Sequence, residues 1–294
     1  MSAAVTDQTR VDGGTRRPKA MTARGRNRPR SSVVRVARMT LFESGMILRQ
    51  KVALMSIILA PTLAIAMALM NRPTIPAAWV SMLASMSILV MVLAVYNTTT
   101  STVVARRESQ VLKRLRTSEL VPSQMLVSLA LPYVVVGVLQ IVVVGAAYQF
   151  LGAPAVDSYG PFLAVMVGTA LLAVIAGFAT ATIAATSERV QFAVLPVMMT
   201  GLVAAIFVLN PAAPDHYRGL ALLLPFAASS DLAARALGAP AEMLATPAPM
   251  VDLAERIGMS AHTLMGIAAV VVSVLWVVIF AAVARRGWRW EPRG

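Results

Sequence analysis

Six long segments without a charged residue constrain this chain more than any other feature of its sequence. Each has 20 or more consecutive residues free of Asp, Glu, Lys and Arg, and they span positions 52–71, 73–105, 120–156, 158–187, 190–214 and 257–284. A helix needs about 20 apolar residues to cross the ~30 Å hydrocarbon core of a bilayer. Each segment can therefore cross once, and the sequence predicts an all-α integral membrane protein with six transmembrane helices.

The composition excludes several other classes of protein. Of the 294 residues 58% are hydrophobic, which is more apolar surface than one water-soluble domain of this size can bury. Continuous apolar runs also differ from the alternating segments of membrane β-barrels. The chain has no cysteine, which excludes disulfides and thiolate nucleophiles. The two histidines, His216 and His262, lack an acidic or thiol partner at ligand spacing, so we assign no metal site and no catalytic residue.

The positive charges predict how these helices are oriented. Helices at about 52–70, 77–100, 125–150, 161–185, 191–209 and 263–284 leave 22 of the 26 Lys and Arg residues on the side that holds both termini. The positive-inside rule assigns such a side to the cytoplasm. We therefore expect a multi-pass protein of the cytoplasmic (inner or cell) membrane, with its N- and C-termini in the cytoplasm.

Residues 1–31 and 32–294 are predicted to form different kinds of structure. The first range contains eight Lys and Arg and almost nothing apolar, so we expect a disordered basic tail. This tail either binds anionic lipid headgroups or serves only to enforce the topology, and we favour the second interpretation. Nucleic acid is not an expected partner because no aromatic residues alternate with the arginines. Residues 32–294 form one transmembrane domain in contact with the lipid bilayer.

Two further elements are predicted next to the crossings. Residues 33–51 separate apolar and charged residues onto different faces, which is typical of a helix lying in the membrane interface. Residues 219–230 are apolar but too few for a crossing, so they predict a re-entrant or interfacial element between spans five and six. Asp231 and Arg235 follow it at i,i+4 spacing and are able to pair on a helix.

A run of polar side chains ends the second predicted crossing. It begins with Tyr96 and Asn97 and continues with hydroxyl residues through Thr102. Such residues suit the lining of a substrate pathway, and we assign Tyr96, Asn97 and Thr100 to that role. Alternatively, the hydroxyls bond backbone carbonyls of their own helix one turn back, as is common in membrane helices. The sequence leaves both interpretations open.

Small residues recur at every fourth position of the fourth predicted crossing, and they are Thr169, Ala173, Gly177, Ala181 and Ala185. This spacing places them on one face of a helix, where they allow a second helix to approach closely. We assign Ala173, Gly177 and Ala181 to helix–helix packing rather than to a ligand site.

The predicted connection 105–124 has an amphipathic pattern. Three apolar residues form a strip and four basic residues surround it; the members are Val111, Leu112, Leu115, Arg107, Lys113, Arg114 and Arg116. A short amphipathic helix at the membrane surface is suited to dock a soluble partner in a groove.

This connection resembles the corresponding part of type-2 ABC transporter permeases, the exporter subunits with six spans per chain. Members read R-x-E-G-V-L-K-R-L-R-x-T-P-L here, and this chain has Arg107-Glu108 followed by VLKRLR at 111–116. Gln110 stands where the family has Gly. Residues 33–51 and Pro61 are similar to the family's elbow helix and first span, and the resemblance covers residues 33–284.

The resemblance implies a function and its partners. The segment 107–116 would be the coupling helix seated on a separate ABC ATPase subunit, through Arg107, Glu108, Val111, Leu112, Arg114 and Leu115. This chain would bind no cofactor, with ATP and Mg held by the partner, and its sequence has no GxxxxGK[ST] loop. It would not be an enzyme itself. A second permease chain, in a homodimer, would complete an exporter of hydrophobic or amphiphilic drugs, antibiotics or lipids.

Other classes fit the sequence less well. An ion-coupled secondary transporter usually holds ionisable residues near the middle of the membrane, whereas the six segments contain none of Asp, Glu, Lys or Arg. An intramembrane enzyme would require a motif such as HExxH or GxSxG, and neither is present. A non-transporting membrane scaffold or assembly subunit stays open as the alternative.

Overall fold

The computed structural model describes residues 51–109 and 122–288, together with the single positions 37, 40, 41 and 45. All regular elements within these ranges are helices. The predicted basic tail and most of the predicted interfacial helix lie outside the described residues.

Six long helices form the body of the protein. The second is continuous from Pro76 to Glu108 and has a short π-helix in its middle. The bounds are α1 (Lys51–Met70), α2 (Pro76–Val90), the π-helix (Met91–Tyr96), α3 (Asn97–Glu108), α4 (Pro122–Phe150), α5 (Gly160–Ile183), α6 (Val190–Val208) and, last in the chain, α10 (Ala261–Gly287).

Five of these helices are long and apolar enough to cross a membrane, and they are Pro76–Glu108, Leu126–Phe150, Gly160–Ile183, Val190–Val208 and Ala261–Gly287. The apolar part of α1, Leu54–Met70, is shorter. The chain is thus a multi-pass helical membrane protein with five candidate spans among its described residues, and the sixth crossing stays a prediction.

Helix α5 lies at the centre of the bundle and packs against the second helix, α4, α10 and a short helix at Ala227–Ala236. Its small residues permit this. A Cβ added to Gly177 would lie 3.0 Å from the Cβ of Thr99. Any side chain at position 177 would therefore push α5 and the second helix apart. Ala173 and Ala181, on the same face, are buried. The stripe therefore lies where helices approach closely within this one chain.

The π-helix widens the second helix at another close contact. A Cβ added to Gly137 of α4 would lie only 2.5 Å from Cγ2 of Val95. A single π-helical turn inserts an extra residue into the helix and alters its local shape. At this position the wider turn is accommodated because Gly137 has no side chain.

The region between α6 and α10 is folded as three short helices and a turn of 3₁₀-helix. These are α7 (Asp215–Ala221), α8 (Ala227–Ala236), the 3₁₀ turn (Ala241–Met243) and α9 (Ala248–Arg256). The predicted apolar element 219–230 is thus divided between two helices, which residues 222–226 connect. Arg235 Nε lies 2.6 Å from Asp231 Oδ2, so the pair expected from their i,i+4 spacing is present.

Candidate functional site

The second helix continues beyond its predicted end, and its last turn, with Arg106, Arg107 and Glu108, lies at the end of the bundle. The predicted crossing stopped near residue 100, whereas α3 ends at Glu108. Arg106 and Arg107 occupy its last turn, where a positive charge interacts favourably with the helix dipole. This is the end of the helix from which the predicted coupling segment departs.

Arg107 is buried, with 3% of its surface exposed. Its Nη1 donates a hydrogen bond to the carbonyl of Ala181 at 2.8 Å. Its Nη2 donates to the carbonyl of Ala184 and, at 3.4 Å, to that of Ala185. The last carbonyls of a helix have no partner within that helix. The guanidinium group therefore satisfies the carbonyl end of α5 and places a positive charge at the negative end of its dipole.

Glu108 contacts the turn that follows α5. Its Oε1 accepts a hydrogen bond from the backbone N–H of Ser187 at 2.9 Å, and its Oε2 contacts the Ser187 hydroxyl. Ser187 lies in the turn before α6, which begins at Val190. Residues 184–189, which we call the α5–α6 connection, are thus held at one end by Arg107 and near the other by Glu108.

The remaining residues of the predicted ATPase interface, Val111, Leu112, Arg114 and Leu115, lie outside the described residues. The structure places the first two of the set, Arg107 and Glu108, against the chain's own α5–α6 connection. The family resemblance implied a place in the ATPase interface for these two residues. Their intramolecular contacts were missed because the partner groups are mainly backbone carbonyls and an N–H, which leave no signal in a sequence.

The polar residues of the second helix are buried among the other helices. Tyr96 Oη lies 3.0 Å from Thr180 Oγ1 on α5 and 3.4 Å from the carbonyl oxygen of Val194 on α6. Thr100 Oγ1 donates to the carbonyl of Tyr96 at 2.8 Å, the local bond that the second interpretation predicts. Tyr96 therefore joins three helices, and Thr100 is satisfied within its own helix.

Three neighbouring oxygens are buried and have no hydrogen-bond partner in the described part of the chain: Asn97 Oδ1, Thr98 Oγ1 and Thr99 Oγ1. Buried polar atoms normally have a partner, since leaving them unpaired costs free energy. Tyr96 and Thr100 are satisfied, whereas these three oxygens keep acceptor capacity next to them. Residues 96–100, which we call the polar cluster, therefore contain both groups that are already hydrogen-bonded and groups that are able to accept a hydrogen bond.

Phe226 brings the turn between α7 and α8 to this cluster. It is 1% exposed, and its ring centroid lies 6.3 Å from that of Tyr96. Its φ of 67° is in the left-handed region, which side chains other than Gly rarely adopt. A Cβ added to Gly201 of α6 would lie 2.8 Å from Cδ2 of Phe226, so the ring fills the space above that glycine. Sequence reasoning missed this residue, although Pro225 indicated a break nearby.

Two arginines bind the region between α6 and α10 to the ends of these two helices. Arg218 donates from Nε to the carbonyl of Val208 at 3.0 Å and from Nη1 to Asp215 at 2.8 Å. Arg235 links its partner Asp231 to the carbonyl of His262, to which it donates at 2.8 Å. Burial raises the pKa of the Asp231 carboxyl above its usual value, and the hydrogen bond from Arg235 opposes that rise. The bonds to the carbonyls of Val208 and His262 join the two short helices to α6 and α10, so these contacts are structural.

The described residues contain no group of three or more His, Cys, Asp or Glu that could hold a metal ion. They do contain three features of a candidate functional site. The end of the second helix is held by Arg107 and Glu108, the polar cluster is buried in the bundle, and the turn between α7 and α8 reaches this cluster through Phe226.

Comparison with known proteins identifies the family. A family model described as "ABC-2 family transporter protein" matches residues 30–284, a range that includes all the helices from α1 to α9 and most of α10. A comparison with curated proteins gave no match. Members of the matching family are membrane components of transporters that typically pair with an ATPase subunit and are not themselves catalytic. With most of its length matched, the chain belongs to the ABC-2 family of transporter membrane proteins.

Proposed function

We propose that this ABC-2 family protein is the permease subunit of an ATP-driven exporter, with ATP hydrolysis supplied by a separate ATPase subunit. The observation that carries the proposal is the family match over residues 30–284, which includes the predicted coupling segment 107–116. The charge asymmetry of the sequence supports an orientation in which both termini and this segment face the cytoplasm.

In this proposal the ATPase docks on the coupling segment through Leu112 and Leu115, with Val111 and Arg114 beside them. An amphipathic helix binds a soluble partner by placing its apolar face in a groove. Closure of two ATPase subunits on ATP would then push on the segment and, through α3, on the second helix. ATP and Mg belong to the partner in this scheme.

The proposed transport route passes the polar cluster of the second helix. Asn97, with an unpaired buried carbonyl oxygen, is available to a substrate, whereas Tyr96 and Thr100 would have to exchange the bonds that they make now. Tyr96 and Thr100 are buried against neighbouring helices, so the route opens only when those helices separate. Replacing Asn97 with Leu should therefore change which compounds are exported, and an unchanged spectrum of compounds would remove Asn97 from the route.

The proposed assembly contains two copies of this chain. Helices α6 and α10 bury little of their apolar surface within one chain, 28% and 11% of their most apolar stretches. That surface requires either lipid or a second subunit, and a homodimer would cover part of it. The substrate class that we propose is hydrophobic or amphiphilic, such as a drug, an antibiotic or a lipid, because the charge-free crossings offer an ionic substrate no counter-charge.

The test is co-purification of the chain with its ATPase from native membranes after detergent extraction. Replacing both Leu112 and Leu115 with Asp should release the ATPase and remove the ATP turnover of the complex. Leu253→Asp is the matched control, because Leu253 is an exposed residue of α9 at the opposite end of the bundle. Retained co-purification and unchanged ATP turnover in the double variant would contradict the proposal.

A further inference from the structure

Two consecutive residues of opposite charge hold the two ends of the α5–α6 connection. Arg107 donates to the carbonyls of Ala181, Ala184 and Ala185, and Glu108 accepts from the N–H of Ser187 and contacts its hydroxyl. Neighbouring side chains on a helix point in directions about 100° apart. One turn of α3 can therefore reach the end of α5 and the turn before α6 at the same time.

We infer that Arg107 and Glu108 are positioning residues that transmit movement of the coupling segment to α5 and α6, and are not contacts for the ATPase. The inference rests on the proposed function, since it requires a coupling segment on which an ATPase acts. It replaces the role that the family resemblance implies for these two residues with one inside the permease.

The burial of Arg107 supports this assignment. Its side chain is 3% exposed, and its Nη1 and Nη2 groups point at backbone carbonyls of α5 and of the connection. A partner subunit cannot reach a guanidinium group in that position without breaking those bonds. The planar fork of Arg binds two acceptors in a defined geometry, which the single ammonium group of Lys does not reproduce.

The contacts of Glu108 complete the link. The residue is exposed, yet both of its carboxylate oxygens already contact Ser187. Hydrogen bonds to a charged acceptor are the stronger kind. A displacement of the last turn of α3 must therefore either move the α5–α6 connection with it or break contacts at both of its ends.

The α5–α6 connection joins the two helices that contact Tyr96 in the proposed transport route. The carbonyl end of α5 lies one turn beyond Thr180, and α6 contains Val194; both residues contact the hydroxyl of Tyr96. A push on α3 would thus reach the polar cluster by two paths, along the second helix itself and through α5 and α6.

The experiment is a double-mutant cycle on Glu108 and Ser187 in the complex with the co-purified ATPase. Its readouts are the yield of ATPase on the permease and the rate of ATP hydrolysis by the complex. If the two residues act as one unit, Glu108→Gln should lower the rate about tenfold, Ser187→Ala about threefold, and the double variant no further than Glu108→Gln alone. The yield of ATPase should stay unchanged in all three.

Matched variants separate this role from a general structural effect. Ser187→Thr keeps the hydroxyl donor and should retain the rate of the parent. Glu188→Gln removes a charge from an exposed neighbour in the same connection and should also have no effect. Arg107→Lys should lower the rate without releasing the ATPase. Because Glu108 and Ser187 are exposed, their variants decide the question even if an Arg107 variant fails to fold.

Two results would overturn the inference while leaving the proposed function intact. The first is loss of the ATPase from Glu108→Gln or Arg107→Lys, which would make these residues docking contacts. The second is multiplication of the Glu108→Gln and Ser187→Ala effects, or the absence of any effect, which would show that the two act independently or not at all. Failure of the parent chain to retain any ATPase would instead contradict the proposed function.

Discussion

The side chain of Gln140 donates a hydrogen bond to the backbone carbonyl of Ile57. Ile57 lies four residues before Pro61, which has no N–H, so this carbonyl lacks its usual partner within α1. Gln140 is 6% exposed and lies on α4. In hydrocarbon there is no water to satisfy a free carbonyl, and a side chain from a neighbouring helix is one of the few possible substitutes. A polar residue within one apolar helix thus compensates for a proline in another.

Replacing Gln140 with Leu should lower the free energy of unfolding by about 1–2 kcal/mol, because it leaves the Ile57 carbonyl unpaired. The cost should shrink when Pro61 is replaced with Ala, since the restored N–H then pairs with Ile57. Thermal unfolding in detergent, measured for both single variants and the double variant, checks this. Gln149→Leu is the control, because it removes hydrogen bonds at the exposed end of the same helix that do not involve α1, and its cost should be the same in both backgrounds. Equal costs of Gln140→Leu in both backgrounds would disprove the link to the proline.

Replacing Gly177 with Leu should destabilise the protein by about 1–3 kcal/mol, because even a Cβ there lies 3.0 Å from Thr99. Gly168 is the matched control on the same helix, since a Cβ at that position meets nothing within 4 Å. Size-exclusion profiles and thermal unfolding of the two variants should differ clearly. Similar losses in both would mean that the close contact between α5 and the second helix is not what makes Gly177 necessary.

The left-handed backbone of Phe226 predicts an unusual order of stability. Phe226→Ala loses the ring contact with Tyr96 and keeps the backbone strain, whereas Phe226→Gly loses the ring and relieves the strain. Because the left-handed conformation costs about 1–2 kcal/mol in residues other than Gly, the Gly variant should be the more stable by a similar amount. Thermal unfolding of the two variants measures this directly. An Ala variant more stable than the Gly variant would show that no strain is held at this turn.

The absence of cysteine makes the orientation directly measurable. A single cysteine in place of Met243 should react with a membrane-impermeant thiol reagent added outside intact cells. A cysteine in place of Ser187, which is exposed at the opposite end of the bundle, should react only after the cells are opened. The reverse pattern would mean that the positive-inside rule fails for this chain.

Local features of the sequence were sufficient to locate the long apolar helices. The crossings predicted at 161–185 and 191–209 correspond to α5 and α6 within two residues at each end, because a change from apolar to polar composition marks a helix end in a membrane protein. The second helix was predicted to end eight residues too early, because the polar residues from 97 onward suggested the end of a crossing, whereas most of them are buried against other helices and the helix continues to Glu108. Pairing of Asp231 with Arg235 was predictable because both partners lie on one helix.

By itself the sequence determined the helical class, the approximate place of each apolar helix and, through the motif at 107–116, the family. Only the tertiary structure decided that Arg107 caps α5, that Glu108 accepts a hydrogen bond from Ser187 and that Gln140 donates one to the carbonyl of Ile57. The physical reason is that each of these contacts joins residues 74 or more positions apart, and that the acceptor or donor is a backbone group. Every residue carries the same backbone groups, so which of them a side chain will reach depends on how the helices pack.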